Sequence, residues 1–277
     1  MAIKKVKENV YIIDDGSTRG NVTAYVLPSQ IIFIDSGMNL PIVRSFREKI
    51  ESETGKKVTK LFITHTHGDH VFGNQVFADC DIIASKYTND CMIKNYETDW
   101  TPEKIEEWKK SAEDPVALEG LEIKLPTDTF DEVFELIDGE VKVIVKRTGG
   151  HTEGSSYVYC PNYKVLTAGD NLFIDSFPWG GDETADPIKW MNALTEYLAL
   201  DVEYYLPGHG LASGKAKIQE FQEYLQKVVS LMKEMIAENS DEEDILNNAD
   251  QIEYHPPRRE QWKTLTLKKW YEVISQK

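Results

Sequence analysis

The chain has 277 residues, 31 of them Lys or Arg and 47 Asp or Glu, so its formal charge is −16 with histidine neutral. Such an acidic balance repels polyphosphate backbones and argues against a nucleic-acid binder, while 41 % apolar and 28 % charged residues are the composition of a globular protein and not of a disordered or fibrous one. No stretch nears the roughly 20 apolar residues of a membrane span, and the Lys-rich start runs into an alternating segment without the apolar run of a signal peptide. The cysteines, Cys80, Cys91 and Cys160, are scattered and lack a Cys-x-x-Cys pair, so they read as reduced thiols of a soluble, cytoplasmic protein.

In chain order, Val10 to Ile13, Val22 to Leu27 and Ile31 to Ile34 read as successive strands of one sheet. Pro41 suits a first helical turn, Ile42, Phe46 and Ile50 fall four apart, and Gly55 is a stop signal, which predicts a helix packed on that sheet. Val58 to Thr64 then reads as a buried strand. The polar stretch from about 86 to 125 reads as a helical insertion, with Thr101 and Pro102 opening a turn that carries Ile105 and Trp108. Strand patterns resume at Val133 to Ile137, Val141 to Val145, Ser156 to Tyr159 and Val165 to Ala168. A helix follows Asp186 and Pro187, with Ile188, Met191, Leu194 and Leu198 on its apolar face. Strands then helix, twice over, suggests two similar half-units. Beyond Gly210 the chain reads as a helical extension, 211–277, packed on a catalytic domain, 1–210. Its apolar stripe runs from Ile218 to Met235, and Ser240 and Glu243 form a capping box.

The informative segment is His65-Thr66-His67-Gly68-Asp69-His70, at the end of a predicted strand. Three imidazoles and a carboxylate within six residues are what a metal site needs. His65 and His67, alternating on extended backbone, point the same way and suit one ion, whereas Asp69 and His70, across the turn at Gly68, suit a second. Three further strand ends carry one donor each beside glycines: Gly149-Gly150-His151, Gly169-Asp170 and Gly208-His209. His255, between Tyr254 and Pro256, has no such context and reads as a surface or capping histidine.

These motifs, in this order and with an early Ile34-Asp35-Ser36-Gly37, resemble the metallo-β-lactamase superfamily over nearly all of residues 1 to about 210. The resemblance implies an α/β (α+β) fold, the four-layer αβ/βα sandwich, with metals at one edge. It implies that His65, His67 and His151 bind one ion and Asp69, His70 and His209 another, that Asp170 bridges them, and that Asp35 braces the metal loop. Aspartate at 170, where one β-lactamase class has Cys, resembles the glyoxalase II, lactonase and broad hydrolase branches, although the carboxy-terminal helices show no glutathione-binding pattern. The function implied is a dinuclear zinc hydrolase, with iron or manganese as other metals. A metal-bridging hydroxide, oriented by Asp69, attacks an ester, thioester, lactone or β-lactam carbonyl of a small molecule. The alternative within the superfamily is an iron-dependent, persulfide-dioxygenase-like oxidoreductase, since the same ligands accept iron.

Substrate selection falls to the walls. The candidates are Trp100 and Trp108 with Tyr96 in the insertion, and Phe177 and Trp179 in the segment 173–184, whose Gly180-Gly181 pair predicts a mobile lid.

Overall fold

A computed structural model describes residues 2–111 and 119–276. The insertion expected over 86–125 carries α3 (Lys86–Thr98) and α4 (Pro102–Ser111) and falls in part, at 112–118, outside the described residues. A seven-stranded sheet is built in chain order from β1 (Ile3–Lys7), β2 (Val10–Ile13), β3 (Val22–Val26), β4 (Ile31–Ile34), β5 (Val58–Phe62), β6 (Asp81–Ser85) and β7 (Asp128–Phe130). A five-stranded sheet runs β12 (Tyr204–His209), β11 (Val165–Phe173), β10 (Ser156–Cys160), β9 (Val141–Arg147), β8 (Val133–Asp138).

Side-chain alternation along the strands creates the layers. In β3 and β4, Val22, Ala24, Ile31 and Phe33 face outward onto helix α1 (Leu40–Thr54), where they meet Val43, Phe46 and Ile50. Their neighbours Tyr25, Ile32 and Ile34 face the other sheet and meet Val143, Val158 and Leu206. On the far side, Leu166 and Leu172 of β11 pack under α5 (Pro187–Ala199), α6 (Lys215–Ala237), α7 (Glu242–Asp250) and α8 (Glu260–Ser275). Helix, sheet, sheet, helix is the four-layer sandwich expected. The central strands of each sheet, β3 and β4 in one and β10 and β11 in the other, are buried along their whole length and so need covering on both faces.

Local expectations hold at several ends and shift at others. Asn39 caps α1 and Gly55 closes it, and the Asp186 carboxylate accepts from Ile188 N and Lys189 N at the start of α5. The cap of α7 is Asp241, not Ser240, its carboxylate accepting from Asp244 N. The buried face of α5 is centred on Trp190, Ala193, Leu194 and Tyr197, while Ile188, Met191 and Leu198 sit at its margins. The large aromatics there sink deepest. Among the described residues no helix is long and apolar enough to cross a membrane. The three cysteines are free, Cys80 and Cys160 being buried and Cys91 half-buried.

Candidate metal centre

The parallel strands β4 and β5 end side by side, and the chain leaving β5 runs extended through Thr64 to His67 before turning into the short helix α2 (Gly68–Val71). That one turn carries four of the donors. Asp35, just past β4, holds it in place. Its backbone is left-handed (φ 56°), a conformation that Asp tolerates better than most residues. Its carboxylate accepts from Thr64 N at 2.8 Å and Thr64 Oγ1 at 2.7 Å and lies 2.8 Å from His70 Nδ1. Thr64 Oγ1 is also 3.0 Å from His65 Nδ1. With Nδ1 occupied, both rings present Nε2 to the interior, the orienting arrangement common behind metal-bound histidine.

The other sheet delivers its donors singly. Asp170 was expected at the end of a strand but lies inside β11, which runs on to Phe173. The parallel register with β12 slips at Gly169 and again before Phe173, and this irregularity brings the Asp170 carboxylate to the cluster. Gly208 on β12 faces it so closely that a Cβ there would run into the carboxylate. The neighbouring Asn171 accepts from His151 N at 2.9 Å and donates to Gly149 O at 2.9 Å, which fastens the His151 loop to β11. His151 Nδ1 lies 2.7 Å from the Trp179 carbonyl oxygen. His67 Nε2 lies 3.0 Å from Asp182, whose carboxylate also accepts from Thr184 N and Oγ1.

All seven donors named from the sequence meet. His65, His67, His151 and Asp170 place ligand atoms within 4.8 Å of one another, and so do Asp69, His70 and His209. Asp170 lies 3.0 Å from His70 Nε2 and 3.3 Å from His209 Nε2, so it touches both sets. A third grouping, Asp35 with His65 and His70, also satisfies the distances, but the Asp35 oxygens are already engaged with Thr64 and His70. His255 is elsewhere, 2.9 Å from Glu220.

Three ligand atoms, His65 Nε2, His70 Nε2 and Asp170 Oδ1, are buried without a hydrogen-bond partner, although two of them are only 3.0 Å apart. Buried polar atoms are ordinarily satisfied. Three such atoms left without a partner fit a cation between them, although His151 Nε2 and His67 Nδ1 lie 2.9 Å apart, and imidazole with carboxylate suits zinc or iron.

The charges sort the same way. Burial pulls His65 well below the ordinary imidazole range and His151 down to about 4. Burial also opposes charge on His70 and His209, but Asp170 and Asp69 beside them prevail, holding His70 well up and His209 at about 9. The Asp69 and Asp170 carboxyls are held down by these same imidazoles despite burial.

The donors floor a cleft of about 360 Å³. Of the wall candidates, Trp179 lines it. Phe177 is instead fully buried against Tyr224, Trp100 packs on Phe72 and lines a separate hollow of about 480 Å³ with Tyr96, and Trp108 stacks on Phe72 outside the cleft. The expected lid is fastened down: Gly180 N donates to Thr266 Oγ1 at 2.9 Å, and Trp179 packs on Trp262 of α8. Sequence reading missed Thr64, Asn171 and Asp182 behind the donors, and Arg19, Arg258, Arg259 and Trp262 on the walls. Only Asp182 carried a signal, as a carboxylate directly after Gly180-Gly181.

Residues 16–209 match the family profile described as the metallo-beta-lactamase superfamily. The chain is 25 % identical over 184 residues to the metallo-beta-lactamase type 2 of Bacillus cereus, covering 65 % of this chain and 62 % of that one. It is 21 % identical over 221 residues to the linear primary-alkylsulfatase of a Pseudomonas species, covering 70 % and 42 %. The chain thus spans less than two thirds of the length of these curated relatives. A metallo-beta-lactamase from Pontibacter korlensis superposes with a TM-score of 0.61 at 18 % identity, over 81 % of this chain and 98 % of that one.

Proposed function

The chain belongs to the metallo-β-lactamase superfamily, and from that premise we propose that it is a metal-dependent hydrolase holding two zinc ions and cleaving a carboxylic ester, thioester, lactone or β-lactam. The observation that carries this reading is the convergence of seven donors in two sets that share Asp170, with three buried ligand atoms lacking any other partner. His65, His67 and His151 would hold one ion and Asp69, His70 and His209 the other. Bound there, such ions lower the pKa of water from roughly 15.7 to about 7 and draw electrons from a substrate oxygen.

The chain's own residues do the rest. Asp69 sits half-open on the cleft floor, kept ionised by His70 and His209, and is placed to align an attacking water and accept its proton. No Ser, Thr or Cys lines the metal cleft among the described residues, which favours water as the nucleophile. Asp35 and Asp182 hold His70 and His67 from behind, so that the donors are aimed before substrate arrives.

The test is metal content by plasma mass spectrometry on protein purified without added metal, followed by a panel of ester, thioester, lactone, β-lactam and sulfate-ester substrates on the same sample. The sulfate ester is included because of the alkylsulfatase relative. About two zinc per chain with hydrolysis abolished by chelation is the expected result. About one iron per chain with no hydrolysis and oxygen consumed in its place would overturn it in favour of the persulfide-type oxidoreductase.

A further inference from the structure

The chain contains only six arginines against 25 lysines. Three of the six, Arg19, Arg258 and Arg259, line the metal cleft, and among the described residues no lysine does. In a chain of charge −16 this gathers guanidinium groups beside the candidate metal site, and two of them, Arg258 and Arg259, are exposed.

The three come from opposite ends of the chain and are brought together by specific ties. Arg19 lies in the β2–β3 loop with a left-handed backbone (φ 63°), a conformation costly for a long side chain. The loop is clamped on both sides. Asn21 donates from N to Gly208 O and from Nδ2 to Pro207 O and Gly210 O, which binds it to the end of β12. Gly20 lies so close to the donors that a Cβ would be 2.5 Å from Asp69 O and 2.7 Å from His70 Nε2. Arg258 follows Pro256 and Pro257 in the α7–α8 connection, and Pro256 O accepts from Phe177 N at 3.2 Å. Arg19 and Arg258 also border an adjoining recess of about 180 Å³, between Phe173 and Trp262.

We infer that this cleft binds a small substrate through an anionic group, a carboxylate, phosphate or sulfate, gripped by Arg19, Arg258 and Arg259 while its scissile bond lies over the metal donors. Guanidinium suits this because its planar fork pairs bidentately with such oxyanions, and Trp179 and Trp262 line the same cleft. The arginines also offset the field of an acidic protein at the one place where an anion must enter. For the reaction this rests on the hydrolase reading; for binding it does not.

Two arms test it, on the protein with its metals in place. In the first, pentanesulfonate and pentanol are titrated against tryptophan fluorescence, which Trp179 and Trp262 report from the cleft. A sulfonate is a poor metal ligand, so its binding reads the arginines. Saturable binding of the sulfonate alone is expected, weakened about tenfold or more in Arg258→Gln/Arg259→Gln and again on raising salt to 1 M, where charges are screened within about 3 Å. Arg19→Lys, which keeps the charge, should retain more binding than Arg19→Gln. In the second arm, the p-nitrophenyl monoester of glutaric acid is compared with p-nitrophenyl pentanoate. The anionic ester should have the higher kcat/KM, through KM, and Arg258→Gln/Arg259→Gln should remove that advantage with the metal content retained.

Equal binding of sulfonate and alcohol, or sulfonate binding indifferent to the arginines, would overturn the inference. So would binding of a short oligonucleotide where the sulfonate fails. Arginine-dependent sulfonate binding with neither ester cleaved would sink the hydrolase reading and leave the anion site standing. Cleavage of both esters alike would do the reverse.

Discussion

The two donor sets share Asp170 and are built on opposite electrostatic principles. His65, His67 and His151 form a set of imidazoles whose two most buried members, His65 and His151, are held neutral by burial. Asp69, His70 and His209 form a set in which carboxylates overcome burial and keep the imidazoles protonated. The first set is poised to receive a cation at neutral pH, whereas the second must shed protons to do so. Each set also has its own bracing carboxylate, Asp182 on His67 and Asp35 on His70. The lesson is that similar ligands at one sheet edge can differ in readiness because of what stands behind them.

The largest expected effect comes from the residue common to both sets. Asp170→Ala should lower the occupancy of both ions and reduce turnover by roughly 10²-fold or more, measured as metal content and kcat on one preparation. Loss confined to one ion would break the symmetry of the sharing. Next come the braces, where Asp182→Asn should weaken metal affinity at the first set and Asp35→Asn at the second, each by about 10- to 100-fold. Competitive chelation resolves the two steps. Because Asp35 also holds Thr64, which touches His65, its variant should leak into the first set more than the Asp182 variant leaks into the second.

The protonation difference gives a further expectation. His209 is raised to about 9 and His70 stands well above its usual range, so both bind protons at pH 7. Filling the second set at that pH should therefore release roughly two protons, and its affinity should rise with pH until about 9. The first set, with His65 and His151 already neutral, should release fewer. Calorimetry in buffers of different ionisation enthalpy reads both numbers, and equal release from the two steps would erase the distinction. The smallest effect on the site belongs to Trp100→Ala. Trp100 is 5 % exposed and packs on Phe72 away from the cleft. The variant should lose about 3 kcal/mol of stability in denaturant unfolding with KM unchanged, whereas Trp179→Ala should move KM.

The seven converging side chains were legible because the chain writes four of them in six residues, His65 to His70, and marks the other three with neighbouring glycines. The walls were not. Phe177 and Trp179 are two residues apart in one aromatic, glycine-containing segment, yet the first is buried under α6 and the second lines the cleft. A loop has no periodicity from which such a split can be read. The Gly180-Gly181 pair looked like a hinge for the same reason, and only Thr266 on α8 shows it fastened.

By itself, then, the sequence determined the layered α/β class, the helix signals at Pro41, Gly55 and Asp186, and the seven side chains that converge. These depend on residue type and on spacing within a few positions. Tertiary structure decided that the register slip at Gly169 carries Asp170 between the two sets, that Asp35 and Asp182 stand behind different imidazoles, and that Arg19 and Arg258 meet across one cleft. Such contacts join segments from different sheets and opposite ends of the chain. Their geometry is set by how the layers pack, and local pattern carries no record of that.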